Sequence, residues 1–162
     1  MIWRILEPFA DWLGRTPLAA WLGASTGRVA WLFVFHLFGL TMLLSTTVLL
    51  SLRLLGITLR RQAVADLWRE LAPWNLSGLG LMVLSGVLIF IGGEPTYFNG
   101  QWFRTKMELL SIALLFHFTV FRITTRAAEG RFAPMWNKTA GILSLLLWFG
   151  VAASGRAIAF LN

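Results

Sequence analysis

The chain contains no cysteine, which excludes disulfides, zinc–thiolate sites, iron–sulfur clusters and thioether-linked haem. Charge is also scarce. Of 162 residues, 13% are Asp, Glu, Lys or Arg and 57% are hydrophobic, whereas a soluble domain carries about a quarter charged residues to clothe its surface. The few charges are clustered, leaving long stretches with none. A clean secretory signal is missing too, because Glu7, Pro8, Asp11, Arg15 and Pro17 interrupt the first 22 residues. The first true span then acts as an uncleaved insertion signal. What remains is the composition of an integral membrane protein.

Four apolar segments predict transmembrane helices over about 29–52, 76–93, 107–125 and 139–156. The first, second and fourth stand on apolar length. The third requires Glu108 and Arg122 near its ends, where long side chains can reach the interface. Before the first span, Ile2, Trp3, Leu6, Phe9, Trp12 and Leu13 recur at helical spacing opposite Arg4, Glu7 and Asp11. This pattern predicts an amphipathic helix within about 2–22, lying in the interface or strapped over the bundle, with Pro8 allowing a bend. The segment 53–75 is expected to hold a second interfacial helix, with Val64, Leu67, Trp68 and Leu71 along one face and Pro73 ending it. The expected fold is all-α: a four-transmembrane-helix bundle with an N-terminal interfacial helix, forming one domain over 1–162.

The net charge of +7 does not point to nucleic acid, because the basic residues flank apolar runs. The 1–2 and 3–4 connections carry Arg53, Arg60, Arg61, Arg69, Arg122, Arg126, Arg131 and Lys138. The opposite side carries Arg4, Arg15, Arg28, Arg104, Lys106 and Arg156. This bias predicts both termini outside the cytoplasm. Glu94 and Glu108 share that outer side with Arg156, and an ion pair between Arg156 and one of them would neutralise a costly charge. Trp31 and Trp102 fit interfacial anchors. Gly78, Gly80, Ser85 and Gly86 in the second span, with Gly141, Ser144, Gly150, Ser154 and Gly155 in the fourth, offer small faces for close helix packing or for a partner subunit.

Two residues carry candidate chemistry. His36 and His117 are the only histidines, and each lies inside a predicted span. An intramembrane ionisable residue is a functional hypothesis by default, and imidazole is a ligand for haem iron and for copper. Two histidines on separate helices suffice for one bis-histidine haem b. Phe35, Phe38, Gly39, Ala113, Phe116 and Phe118 could wall a macrocycle. The opposing expectation is that each imidazole hydrogen-bonds a neighbouring helix. Depth decides between these, and two rulers disagree. From Arg28 and Lys106 the histidines differ by ~4–5 Å in depth, whereas from Arg53 and Arg122 they differ by ~18 Å. Met42 and Met82 add little to a copper site, since methionine is an ordinary core filler.

The strings Phe35-His36-Leu37-Phe38-Gly39-Leu40 and Ser51-Leu52-Arg53-Leu54-Leu55-Gly56 carry a resemblance, as do Ala72-Pro73-Trp74, Phe90, Tyr97 and Phe103-Arg104-Thr105-Lys106. Over roughly 18–125 the chain resembles a family of small bacterial four-helix membrane proteins of unknown function. That family is distantly similar to copper-resistance D-type membrane domains and to four-helix b-type cytochromes. The resemblance implies a bacterial inner-membrane location and metal or haem ligation at His36, with His117 unmatched. Dihaem cytochromes of this kind need two histidine pairs, and this chain has one. Three functions follow as expectations: a membrane subunit holding one haem b between His36 and His117 for electron transfer, a haem-free structural subunit of a larger complex or homo-oligomer, and a copper-handling membrane domain.

Overall fold

The structure, a computed structural model, describes residues 2–93, 98, 100–127 and 130–161. Among these there is no strand. The helices are α1 (Ile2–Gly14), α2 (Pro17–Gly23), α3 (Thr26–Leu54), α4 (Val64–Gly93), α5 (Gln101–Arg126) and α6 (Pro134–Leu161). The last four are each long and apolar enough to cross a bilayer. In their most apolar windows only 22–28% of residues are buried within the chain, and the outward apolar surface is of the kind a bilayer covers. The chain is therefore a multi-pass membrane protein. Residues 55–63, 127 and 130–133 lie at one end of the bundle, termed the loop end. Helices α1 and α2 lie at the other, the terminal end.

α3 packs most extensively on α4, α5 on α6, and α3 also on α6. Glycine sets the α3–α4 distance. A Cβ on Gly39 would stand 2.7 Å from the Met82 nitrogen, and one on Gly78 would stand 2.8 Å from the Leu43 nitrogen. The two backbones thus touch with nothing between them, the use of small residues expected where lipid supplies no drive for association. All four spans meet in a core of Leu43, Leu79, Met82, Ala113, Trp148 and Val151. Nearer the loop end, Leu50, Leu54, Val64, Leu67, Trp68 and Phe121 form a second core.

Several expectations from the sequence need correction. Pro73 does not end a helix: α4 is continuous from Val64 through Pro73 to Gly93. Proline removes one intrahelical hydrogen bond, but burial of Val64, Leu67 and Trp68 against Leu50, Leu54 and Phe121 fixes the preceding turns. The 64–71 face is thus core rather than interfacial. The third span begins at Gln101, well before Met107. The N-terminal segment is two helices. Thr16 caps the second by accepting from the Ala19 N–H, with Pro17 in its first turn.

One face of α1 is strapped over the bundle. Trp3 meets Phe98 and Phe103 edge-on at 5.6 and 6.4 Å, and Ala10 is buried with those two phenylalanines. Ile5, Phe9 and Trp12 stay exposed. Glu108 does not pair with Arg156: its Oε1 accepts from Trp3 Nε1 at 3.1 Å, while Arg156 lies over the Phe160 ring. Glu94 is outside the described residues. Trp31 is exposed near the terminal end as an anchor should be, whereas Trp68 and Trp148 are buried.

Candidate functional site: two polar layers in the bundle

Thr47 and Ser51 on α3, Asn75 on α4, His117 on α5 and Ser144 on α6 are fully or almost fully buried polar side chains. Interhelical contacts set them at one level. Asn75 Nδ2 donates to Thr46 Oγ1 (2.9 Å) and Thr47 Oγ1 (3.1 Å), tying α4 to α3. Gly141, one turn before Ser144, backs onto the Ser51 carbonyl, where a Cβ would come within 3.0 Å. His117 lies between Trp68 of α4 and Trp148 of α6. The five side chains therefore fall within about two helical turns, ~10 Å, along the bundle axis.

This loop-end layer is under-satisfied. Asn75 Oδ1, Ser51 Oγ, Ser144 Oγ and both ring nitrogens of His117 have no hydrogen-bond partner. His117 is the extreme case, because it is 1% exposed. Its ring is enclosed by Phe118 (5.4 Å), Phe121 (5.5 Å, stacked), Trp148 (5.9 Å, edge-on) and Trp68 (6.4 Å). A buried polar group without a partner costs about 1–3 kcal/mol, and such groups in a native fold call for a guest or a function. Asn75, by contrast, does structural work. Asn75→Ala removes two interhelical hydrogen bonds and should lower stability by about 1–2 kcal/mol in detergent unfolding.

The backbone of α5 is adapted to this layer. Residues His117–Phe121 form a π-helical turn, with the Arg122 N–H reaching the His117 carbonyl. Ala113, His117, Phe121 and Thr125 are spaced by four and all are buried. In a regular α-helix each four-residue step drifts ~40° around the axis. The wider π turn takes out part of that drift and keeps the series on one face. Single π turns of this kind are frequent at functional sites.

His36 belongs elsewhere. Its Nδ1 is 3.2 Å from Ser85 Oγ, and its ring seats against Gly86, where a Cβ would lie 3.0 Å from Cε1. The single Ser85 hydroxyl hydrogen goes to the main-chain carbonyls of Leu81 and Met82. The serine oxygen therefore accepts from His36 Nδ1–H. The expectation of a histidine bonded to a neighbouring helix describes His36 and not His117. Trp68, beside His117, and Ser85, beside His36, are seventeen residues apart on α4, which places the imidazoles at least three helical turns, ~16 Å, apart along the axis. The ruler from Arg53 and Arg122 gave nearly this offset; the other failed because the third span begins earlier than its charges suggest. The structure does not bring the two histidines together.

A haem shared by His36 and His117 does not fit this arrangement, since one iron cannot reach both imidazoles. A macrocycle approaching His117 alone would have to displace Trp68, Trp148 or Phe121. Among the described residues no three His, Asp or Glu side chains converge.

The sequence singled out the imidazoles but missed the polar groups around His117. Asn75 falls just outside the expected second span, 76–93, and Ser144 reads as one of the small residues of a packing face. The signal was present in α4, where Val64, Leu67, Trp68, Asn75, Gly78, Met82 and Ser85 follow a helical stripe that becomes buried. A polar residue within such a stripe faces the bundle interior. No curated protein and no solved structure matches the chain. Over residues 9–161 the chain matches, and therefore belongs to, the family of unknown function DUF6644.

Proposed function

We propose that this protein is an integral membrane subunit whose working group is the His117 imidazole, which accepts and releases a proton through small hydrogen-bonding guests in the loop-end layer. The carrying observation is that both ring nitrogens of a fully buried histidine lack partners. Neutral imidazole offers one donor and one acceptor, and Ser51, Ser144 and the Asn75 carbonyl oxygen offer matching groups nearby. A guest of water size satisfies several at once. A cavity of about 250 Å³ at the loop end, lined in part by Leu54, Val64 and Thr124, lies about one turn from Ser51, Trp68 and Phe121. Access from that end is short. The loop end also carries eight of the fourteen Lys and Arg residues, which favours placing it in the cytoplasm of a bacterium with both termini periplasmic.

The chain has two histidines, so ring-labelled histidine gives two spin systems, and His117→Phe assigns them. In lipid nanodiscs the His117 ring should change protonation reversibly with bulk pH within the range where the bundle stays folded. A ring locked in one tautomer throughout would defeat the proposal. So would a Soret band in the purified protein that His36→Ala and His117→Ala abolish alike, which would favour shared haem ligation and electron transfer.

A further inference from the structure

A second polar layer repeats the first, three helical turns nearer the terminal end. Stepping along each span by eleven residues from Thr47, His117 and Ser144 leads to His36, Lys106 and Gly155, and ten residues from Asn75 lead to Ser85. Eleven residues are about three α-helical turns, so α3, α5 and α6 each present the same face at both levels, and the ten-residue step on α4 ends one residue short of that face. Contacts support this register: His36 bonds Ser85, and Lys106 lies along Gly155, its Nζ 3.3 Å and its Cε 3.5 Å from where a Cβ would stand. Lys106 and His36 are also within electrostatic reach of each other.

The layers differ in charge. The five side chains of the loop-end layer are neutral polar groups with the Arg122 guanidinium beside them, its buried Nε without a hydrogen-bond partner, whereas this layer contains an ammonium itself. Among the described residues Lys106 has no ion-pair or hydrogen-bond partner. Glu108, two residues on, is exposed and engaged by Trp3. Arg156, beside Gly155, stacks on Phe160 and adds positive charge. Arg104 lies over the Trp3 and Phe98 rings and donates to the Phe98 carbonyl. A cation held at this depth is costly until an anion joins it. Gly155 is what lets the lysine stem lie flat against α6 instead of extending to the interface.

We propose that the layer of His36, Ser85, Lys106 and Gly155 is a binding site for a single anionic group, a phosphate or carboxylate, supplied by an anionic lipid headgroup or by a soluble anion entering from the terminal end. Lys106 Nζ supplies the charge. The His36 ring, held by Ser85, borders the site and reports on its occupancy. A neutral ligand would leave the charge uncompensated, which selects an anion.

The test uses the full chain in nanodiscs, with the His36 and His117 ring resonances as internal probe and control. Replacing zwitterionic lipid with a mixture containing phosphatidylglycerol should shift His36 and leave His117 in place, and inorganic phosphate added to purely zwitterionic nanodiscs forms the second arm. A response to phosphatidylglycerol alone assigns a lipid headgroup, and a response to phosphate assigns a soluble anion. No His36 response in either arm overturns the proposal. Lys106→Met should weaken the response roughly tenfold or more while Lys106→Arg retains it. An unchanged response in Lys106→Met, with His117 at its native position as proof of fold, also overturns it.

Discussion

Gly78→Val should destabilise the bundle by about 1–3 kcal/mol or more, the range for overpacking a filled interior, while Gly80→Val should be nearly silent. The two positions share a helix, a residue type and a membrane depth within one turn. They differ in what a side chain would meet. At Gly78 a Cβ lies 2.8 Å from the Leu43 nitrogen and 2.9 Å from the Gly39 carbonyl oxygen, whereas at Gly80 nothing lies within 4 Å. The opposing atoms at Gly78 are backbone and the Met42 Cβ, which no rotamer change moves, so α3 must move from α4 as a unit. Movement there would also strain the bonds from Asn75 to Thr46 and Thr47, one turn away. Thermal unfolding in a mild detergent, with both variants beside the native chain, reads the difference. Equal loss at the two positions would show that valine's poorer fit to a helix, and not the α3–α4 contact, sets the cost.

The opposite sign is expected at His117. Substitutions at fully buried positions usually destabilise, yet His117→Phe should stabilise the bundle by about 1–3 kcal/mol, the penalty of unpartnered buried polar atoms. Phenylalanine keeps an aromatic ring among Trp68, Phe121 and Trp148 and removes both orphaned nitrogens. A rise in unfolding temperature together with loss of the protonation response would mark a residue kept for function at the expense of stability. A fall comparable to that of Leu43→Ala would show that the imidazole is well bonded and that its role is packing.

Much of the bundle is legible in composition and spacing. Long charge-free runs announce α3, the second half of α4 and α6, and the stripe from Val64 to Leu71 announces a helix before its location is known. What misleads is assigning punctuation from single residues. Pro73 reads as a stop, but neighbouring side chains pack well enough to carry the helix through it. Glu108 reads as a boundary, but Trp3 reaches it from a different helix, a contact across 105 positions that no local pattern encodes. The histidines were legible as candidates and their separation was not, because depth depends on helix register and register is set by contacts such as Gly39 on Gly78. The spacing of ten or eleven residues that links the two layers on each span was in the sequence throughout. It gains meaning only once those contacts show that the four repeats start at the same height.

The π turn in α5 gives this span one residue to spare. An in-frame loss of one codon between Phe118 and Val120 would let the wide turn close into an ordinary α-helical one, at little cost to the helix itself. The residues beyond would keep nearly their present facing, with Thr124 still in reach of the Trp136 indole that donates to it and Thr125 still in the interior. The same loss in the regular α-helical stretch before His117 would swing one side of the helix by ~100° relative to the other. In genetic terms Phe118, Thr119 and Val120 are where α5 should best tolerate a missing codon.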